Sequence, residues 1–135
     1  METKLINKLI DAALAARQNA YCPYSNFAVG AALLSESGEI YIGFNIENAA
    51  YSVTVCAERA ALFSAVCHGE KSFTALAVVG GQRGFPPSKI ITPCGVCLQA
   101  LKEFCKDDFL VIAVQSASEY RIYTFSELLP YGFGL

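Results

Sequence analysis

Thr74-Ala75-Leu76-Ala77-Val78-Val79 is an almost unbroken apolar run of strand length, without the polar alternation of a sheet face open to water. A strand of that kind is buried on both sides and needs helices above and below it. The flanking segments supply them. Residues 57 to 67 upstream and 95 to 105 downstream read as helices, and Phe109 to Val114 reads as another apolar strand. Further out, Phe27-Ala28-Val29-Gly30-Ala31-Ala32-Leu33-Leu34 and Glu39-Ile40-Tyr41-Ile42-Gly43-Phe44 are strand-like, joined by a hairpin turn at Ser35-Glu36-Ser37-Gly38. Leu5, Leu9, Ala13 and Ala16 recur at helical spacing, so residues 3 to 19 are expected to form an amphipathic helix ending at the Tyr21-Cys22-Pro23-Tyr24 loop. A strand from Arg121 to Thr124 and a short helix from Ser126 to Leu129 close the pattern. The expected fold class is α/β: a three-layer α/β/α arrangement with a mixed sheet of about five strands and helices on both faces.

A chain of 135 residues, 54% hydrophobic and 16% charged, suits one domain spanning 1–135 with a sizeable core. No internal repeat or low-complexity segment divides it. The net charge is −2 and Lys and Arg are scattered singly or in loose pairs, which speaks against a nucleic-acid partner and for a small ligand. No apolar run approaches membrane-spanning length, and the residues after Met1 lack the apolar core of a secretory signal. Six cysteines without such a signal point to a reducing compartment, and a cytoplasmic location is expected. Cys22, Cys67 and Cys105 fall in loops or on apolar helical faces and are expected to be small buried hydrophobes.

The remaining cysteines carry chemistry. Cys56-Ala57-Glu58 and Pro93-Cys94-Gly95-Val96-Cys97 offer three thiolates, with a carboxylate two residues from one of them. Structural zinc is ordinarily closed by four protein ligands, whereas three ligands leave a position for water. Cys56 opens one helix and Cys94 another, with Cys97 on the same face as Cys94, and Pro93 and Gly95 shape the tight turn before it. Helix N-termini carry partial positive charge, which favours the thiolate form that zinc requires.

Three thiolates against one divalent cation leave an excess negative charge that weakens the metal as a Lewis acid. Arg59 stands where it can donate hydrogen bonds to the sulfurs and restore that acidity. Glu58 would otherwise be a helix-dipole partner, but near a metal it is placed to shuttle protons from water to substrate.

Cys-x-Glu followed by Pro-Cys-x-x-Cys is the zinc-deaminase signature, itself a worked example of base-modifying zinc chemistry. With Pro23-Tyr24-Ser25-x-Phe27-x-Val29-Gly30-Ala31-Ala32, Asn45-Ile46-Glu47-Asn48-Ala49, Cys56-Ala57-Glu58-Arg59 and Glu127-Leu128-Leu129-Pro130-x-x-Phe133-Gly134, nearly the whole chain resembles the small cytidine deaminases in order. The resemblance implies one zinc per subunit on Cys56, Cys94 and Cys97, and hydrolytic deamination of free cytidine and 2′-deoxycytidine in pyrimidine salvage. Activated water would attack C4 of the pyrimidine while Glu58 moves protons to N3 and the departing amine.

The same resemblance assigns Asn45 and Glu47 to the ribose hydroxyls, Phe27 to the pyrimidine face, and the backbone around Ala57, with Glu58, to the base edge. An amide beside a carboxylate can satisfy a 3′-hydroxyl as donor and acceptor, and rejects an analogue lacking it. It also implies a homotetramer with shared active sites, Tyr51 and Phe133 reaching into a neighbouring subunit. High hydrophobicity with few charges suits such an assembly.

One position departs from the pattern: Leu98 stands where the family commonly has Arg after the last cysteine. If that cation balanced zinc charge, Arg59 carries more of the load here. His68, alone before Gly69, reads as a helix cap rather than a ligand. Competing readings are a deaminase of another aminopyrimidine nucleoside, a polynucleotide-editing deaminase, and a non-enzymatic structural-zinc interaction module in which Cys67 or Cys105 closes a four-thiolate site.

Overall fold

A computed structural model describes residues 1–135. Its elements are α1 (Thr3–Arg17), β1 (Phe27–Ser35), β2 (Ile40–Phe44), a 3₁₀ turn (Tyr51–Val53), α2 (Ala57–Cys67), β3 (Phe73–Gln82), α3 (Gly95–Lys102), β4 (Leu110–Val114), β5 (Tyr120–Thr124) and α4 (Phe125–Leu128). They form one five-stranded sheet in the order β2-β1-β3-β4-β5. β3 and β4 pair in parallel, as a connection through a crossover helix permits, and the other pairs are antiparallel.

The central run explains the layering. Successive side chains on a strand point to opposite faces. Ala75, Ala77 and Val79 pack with Ile6, Leu9, Ile10 and Ala13 of α1. Leu76 and Val78 pack on the other side with Ala61, Leu62 and Ala65 of α2 and Leu98 and Leu101 of α3. Both sides of β3 are therefore apolar because both are covered. The three-layer expectation holds.

Two helix ends fall short of the sequence reading. α1 stops at Arg17, after which Asn19 and Ala20 donate to the carbonyls of Ala16 and Arg17 in tighter three-residue turns. α3 stops at Lys102, and Phe104 donates to Leu101 as the chain turns toward β4. After α3 the apolar pattern outlasts the helix, since the tightened turn keeps Phe104 and the buried Cys105 near the core, whereas Gln18 and Asn19 after α1 are exposed.

Helix and sheet meet closely at two glycines. A side chain at Gly30 would collide with the carbonyl of Ala13 and the amide of Arg17, and one at Gly43 with the carbonyl of Ala57 and the amide of Ala61. The Gly43 contact fixes where α2 begins, because Ala57 is its first residue.

Candidate active site

Cys56 is the N-cap of α2 and Cys94 the N-cap of α3, with Cys97 in the first turn of α3. Both helices lie on the same face of the sheet, and their starts bring the three sulfurs within 4.8 Å of one another. Neither N-cap thiol makes a side-chain capping bond, so these sulfurs are left for another partner. Three convergent thiols at two helix starts fit a zinc ion, with no fourth cysteine in the cluster. Cys105 is buried elsewhere and its thiol is pushed up to about 12 by that burial. Cys67, at the far end of α2, is exposed. The expectation of a buried Cys67 is thus corrected: it lies in the last turn, on the part of the helix that rises out of the core. Cys22 is fully buried, as expected.

The thiols share their protons unequally. A hydrogen bond from Cys97 lowers the Cys56 thiol to about 5, against the opposing effect of burial and with help from Arg59. Cys97 is raised by that same bond and by burial. Arg59 donates from Nη2 to Cys56 Sγ at 3.6 Å and to the Thr54 carbonyl at 3.5 Å. Its Nε is buried without a hydrogen-bond partner, a cost tolerated where thiolates attract the cation. Bonding to Cys56 raises its already high pKa further, though burial opposes this.

Glu58 is 5% exposed. Burial lifts its carboxyl to about 7; a backbone hydrogen bond opposes the rise, the charge of Cys56 adds to it, and Arg59 counteracts it. A carboxyl poised near neutrality can both accept and release a proton.

These groups open onto a cleft of about 290 Å³. Cys56, Ala57, Glu58 and Cys94 line it together with Phe27, Val29 and Ile91, and with the polar Ser25, Asn45, Glu47 and Thr54. Asn45, 8% exposed, bridges the end of β1: its Oδ1 accepts from the Val29 amide at 2.9 Å and its Nδ2 donates to the Phe27 carbonyl at 2.8 Å. One N–H and one lone pair remain for a ligand. Glu47 accepts from the amides of Tyr24 and Ser25 at 3.0 and 3.1 Å and from the Ser25 hydroxyl. The Ser25 hydroxyl is the first cause of a Glu47 pKa below the ordinary carboxylate value, burial opposes it, and the two amides add to it.

Tyr51 and Phe133 stand outside this cleft. Tyr51 is 75% exposed on the 3₁₀ turn, edge-on to Tyr24 at 6.1 Å, and lines an adjoining hollow of about 330 Å³ with Ser25, Glu47 and Asn48. Phe133 is 69% exposed, its backbone held by Gln99 through bonds of 2.9 and 3.4 Å. Leu98 is 5% exposed and packs in the core beside α2, so it contributes apolar contact and no charge. His68 donates from Nδ1 to the Ser64 carbonyl at 2.8 Å and closes α2 as a cap.

Sequence reading missed Ser25, Val29, Thr54 and Ile91 as lining residues. Ser25 and Val29 belong to the Pro23–Ala32 motif. Ile91 lies in the segment between β3 and α3, where no periodicity marks its direction.

Residues 3–113 match the family described as the cytidine and deoxycytidylate deaminase zinc-binding region. A cytidine deaminase of Sporosarcina psychrophila is 48% identical over 128 residues, covering 95% of this chain and 90% of that protein. The structure superposes on cytidine deaminase from Burkholderia pseudomallei with a TM-score of 0.83 at 44% identity, covering 93% of this chain and 97% of that one. For the enzyme from Mycobacterium tuberculosis the TM-score is 0.81 at 36% identity, covering 96% and 98%. Sulfur cluster, buried carboxylate and cleft thus sit on a scaffold shared along almost the entire sequence, and the chain belongs to the cytidine and deoxycytidylate deaminase family.

Proposed function

We propose that the chain, acting as one domain over residues 1–135, hydrolyses free cytidine and 2′-deoxycytidine to uridine and 2′-deoxyuridine with release of ammonia, in pyrimidine salvage. The observation that carries this reading is one cleft lined by Cys56 and Cys94, whose sulfurs cluster with that of the buried Cys97, by the buried Glu58 carboxyl and by a separate polar set at Asn45 and Glu47.

Cys56, Cys94 and Cys97 would hold zinc, which when bound supplies a Lewis acid that activates water at neutral pH. Glu58 takes a first proton from water and delivers it to N3, then carries the second, released from the new C4 hydroxyl as the carbonyl forms, to the departing amine, work suited to a carboxyl lifted to about 7. Arg59 offsets the negative charge of the sulfurs through its bond to Cys56. Phe27, Val29 and Ile91 provide an apolar surface for the pyrimidine and keep solvent from its faces. The backbone at Ala57 reads the base edge, and Asn45 and Glu47 offer a donor and acceptors to the sugar hydroxyls.

A homotetramer with shared sites belongs to the same reading. Tyr51 and Phe133 are aromatic, exposed and unused by the subunit's own cleft. Phe63, Val66 and Phe104 also line an entirely apolar hollow of about 380 Å³ between α2 and α3. No helix is long and apolar enough to cross a membrane, and a cytoplasmic location is part of the proposal.

Zinc-loaded Glu58→Gln is the test, followed by ultraviolet absorbance on cytidine, deoxycytidine, cytosine and a cytidine nucleotide. The variant is expected to retain zinc and lose turnover, with the wild type active on the two nucleosides. Full activity of the variant would reject the role of Glu58, and preference for another aminopyrimidine nucleoside would replace the substrate.

A further inference from the structure

Glu47 is fixed at its backbone before its carboxylate is considered. Its amide donates to the Tyr21 carbonyl at 2.9 Å, and Ile46 bridges to both Tyr21 and Val55. The carboxylate then meets the loop that leads into β1. Oε1 takes the successive amides of Tyr24 and Ser25, a small anion-binding nest, and Oε2 takes the Ser25 hydroxyl.

Ser25 Oγ has a second partner, the Phe27 amide at 3.0 Å. An amide N–H can only donate, so Oγ is the acceptor in that bond. An ionised carboxylate can only accept, so the single hydroxyl hydrogen of Ser25 points to Glu47. The relay Phe27 N–H to Ser25 Oγ–H to Glu47 Oε2 therefore has one direction. It links the aromatic that lines the cleft to the carboxylate that lines it, through one side chain. The loop is pinned from outside as well: the Asn26 amide donates to the Cys22 carbonyl, and the Asn26 carbonyl accepts from the Arg83 amide, each at 2.9 Å.

We propose that Ser25 is a positioning residue for sugar recognition, orienting Glu47 so that its one remaining lone pair, on Oε2, faces a hydroxyl donor of the substrate, and holding it in register with Phe27. The inference rests on the reading that the substrate is a nucleoside whose ribose meets Glu47. It makes the serine of the Pro-Tyr-Ser stretch part of substrate selection, although it need touch no reacting atom. Glu47 held by three donors stays ionised and acceptor-only, and the sugar must therefore supply the hydrogen. Loss of the relay should weaken binding of a substrate carrying the 3′-hydroxyl and leave the chemical step at the base alone.

Steady-state kinetics on cytidine and 3′-deoxycytidine, with zinc content and thermal midpoint measured alongside, test this for the wild type, Ser25→Ala and Ser25→Thr. Ser25→Ala is expected to raise KM for cytidine by about tenfold with kcat within about twofold, the scale of one hydrogen bond to a charged group. On 3′-deoxycytidine that penalty should shrink to about twofold or less, because the interaction it supports is already missing. Ser25→Thr, which keeps the hydroxyl, should restore most of the cytidine KM. Ser25→Cys, a weaker donor of similar size, serves as a second variant if the alanine protein folds poorly, and it should show the same dependence on the 3′-hydroxyl. An equal penalty on both nucleosides, or a loss confined to kcat, overturns the role given to Ser25. A zinc-loaded wild type inactive on both nucleosides overturns the functional reading and this inference with it.

Discussion

The guanidinium of Arg59 reaches back to the start of its own helix, placing Nη2 3.6 Å from Sγ of Cys56. Arg59 is also the cation that acts on all three neighbours, by charge and hydrogen bond on Cys56, by hydrogen bond on Cys97 and by charge on Glu58. Leu98 contributes no second one, being packed in the core. Arg59→Gln keeps length and polarity but removes the charge. It is expected to retain zinc on the three sulfurs and to lose about 10- to 100-fold in kcat, the usual cost of losing a group that supports metal ligands. Metal analysis paired with kcat decides the matter, and an unchanged kcat with full zinc would show that the charge is balanced elsewhere.

Gly43 couples the sheet to the site. A methyl group there would strike the Ala57 carbonyl and the Ala61 amide and would lie 3.0 Å from the Ala61 Cα. These are backbone atoms of α2 and cannot swing aside as a side chain would. Gly43→Ala must therefore shift the start of α2, the turn that carries Cys56 and Glu58, relative to α3 with Cys94 and Cys97. Weaker zinc retention during dialysis and a fall in activity are expected, alongside a destabilisation of about 1–3 kcal/mol for overpacking. Gly38→Ala is the comparison, since nothing lies within 4 Å of that position and any cost there comes from its positive φ alone.

Metal removal separates a reaction centre from a structural clamp. The two apolar clusters on either side of the sheet are built mainly from strand and helix side chains, and none of the three candidate ligands belongs to either. A protein stripped of zinc by a chelator should therefore lose turnover yet keep its far-ultraviolet circular dichroism, and added zinc should restore activity. Collapse of the helical signal on chelation would instead favour the structural-zinc module.

The layers were legible because burial on both sides of β3 leaves a composition no other strand environment requires. Cys56, Glu58, Cys94 and Cys97 were legible for a different reason: metal chemistry restricts both residue type and spacing, so a few positions carry much information. Cys67 was misread because a cysteine in the last turn of an apolar helix looks the same whether that turn is covered or exposed. Ile91 was missed because a residue outside regular structure has no period to reveal its direction. Ser25 belongs to a recognisable motif, but its bond to Glu47 spans 22 residues and depends on a loop that sequence patterns do not place.

Arg17 shows the same limit. An arginine in the last turn of a helix ordinarily lies in solvent and complements the helix dipole. Here it is 6% exposed, with Nε donating to the Ala28 carbonyl at 3.0 Å and Nη2 to the carbonyls of Gln82 and Phe85 at 2.9 and 3.1 Å. The planar fork joins α1, the start of β1 beside Phe27, and the turn after β3 that begins the path to Ile91 and Cys94. Burial lowers its pKa, with neighbouring Cys22 acting in the opposite sense. Arg17→Met fills much of the space but leaves three carbonyls without their donor, and is expected to cost about 3 kcal/mol of stability. Arg17→Lys keeps the charge, yet one ammonium cannot reproduce the fork, so an intermediate loss is expected. Thermal midpoints of the zinc-loaded proteins should fall in the order wild type, Arg17→Lys, Arg17→Met. A lysine variant as stable as the wild type would show that charge alone, rather than the geometry of the guanidinium, holds these three segments together.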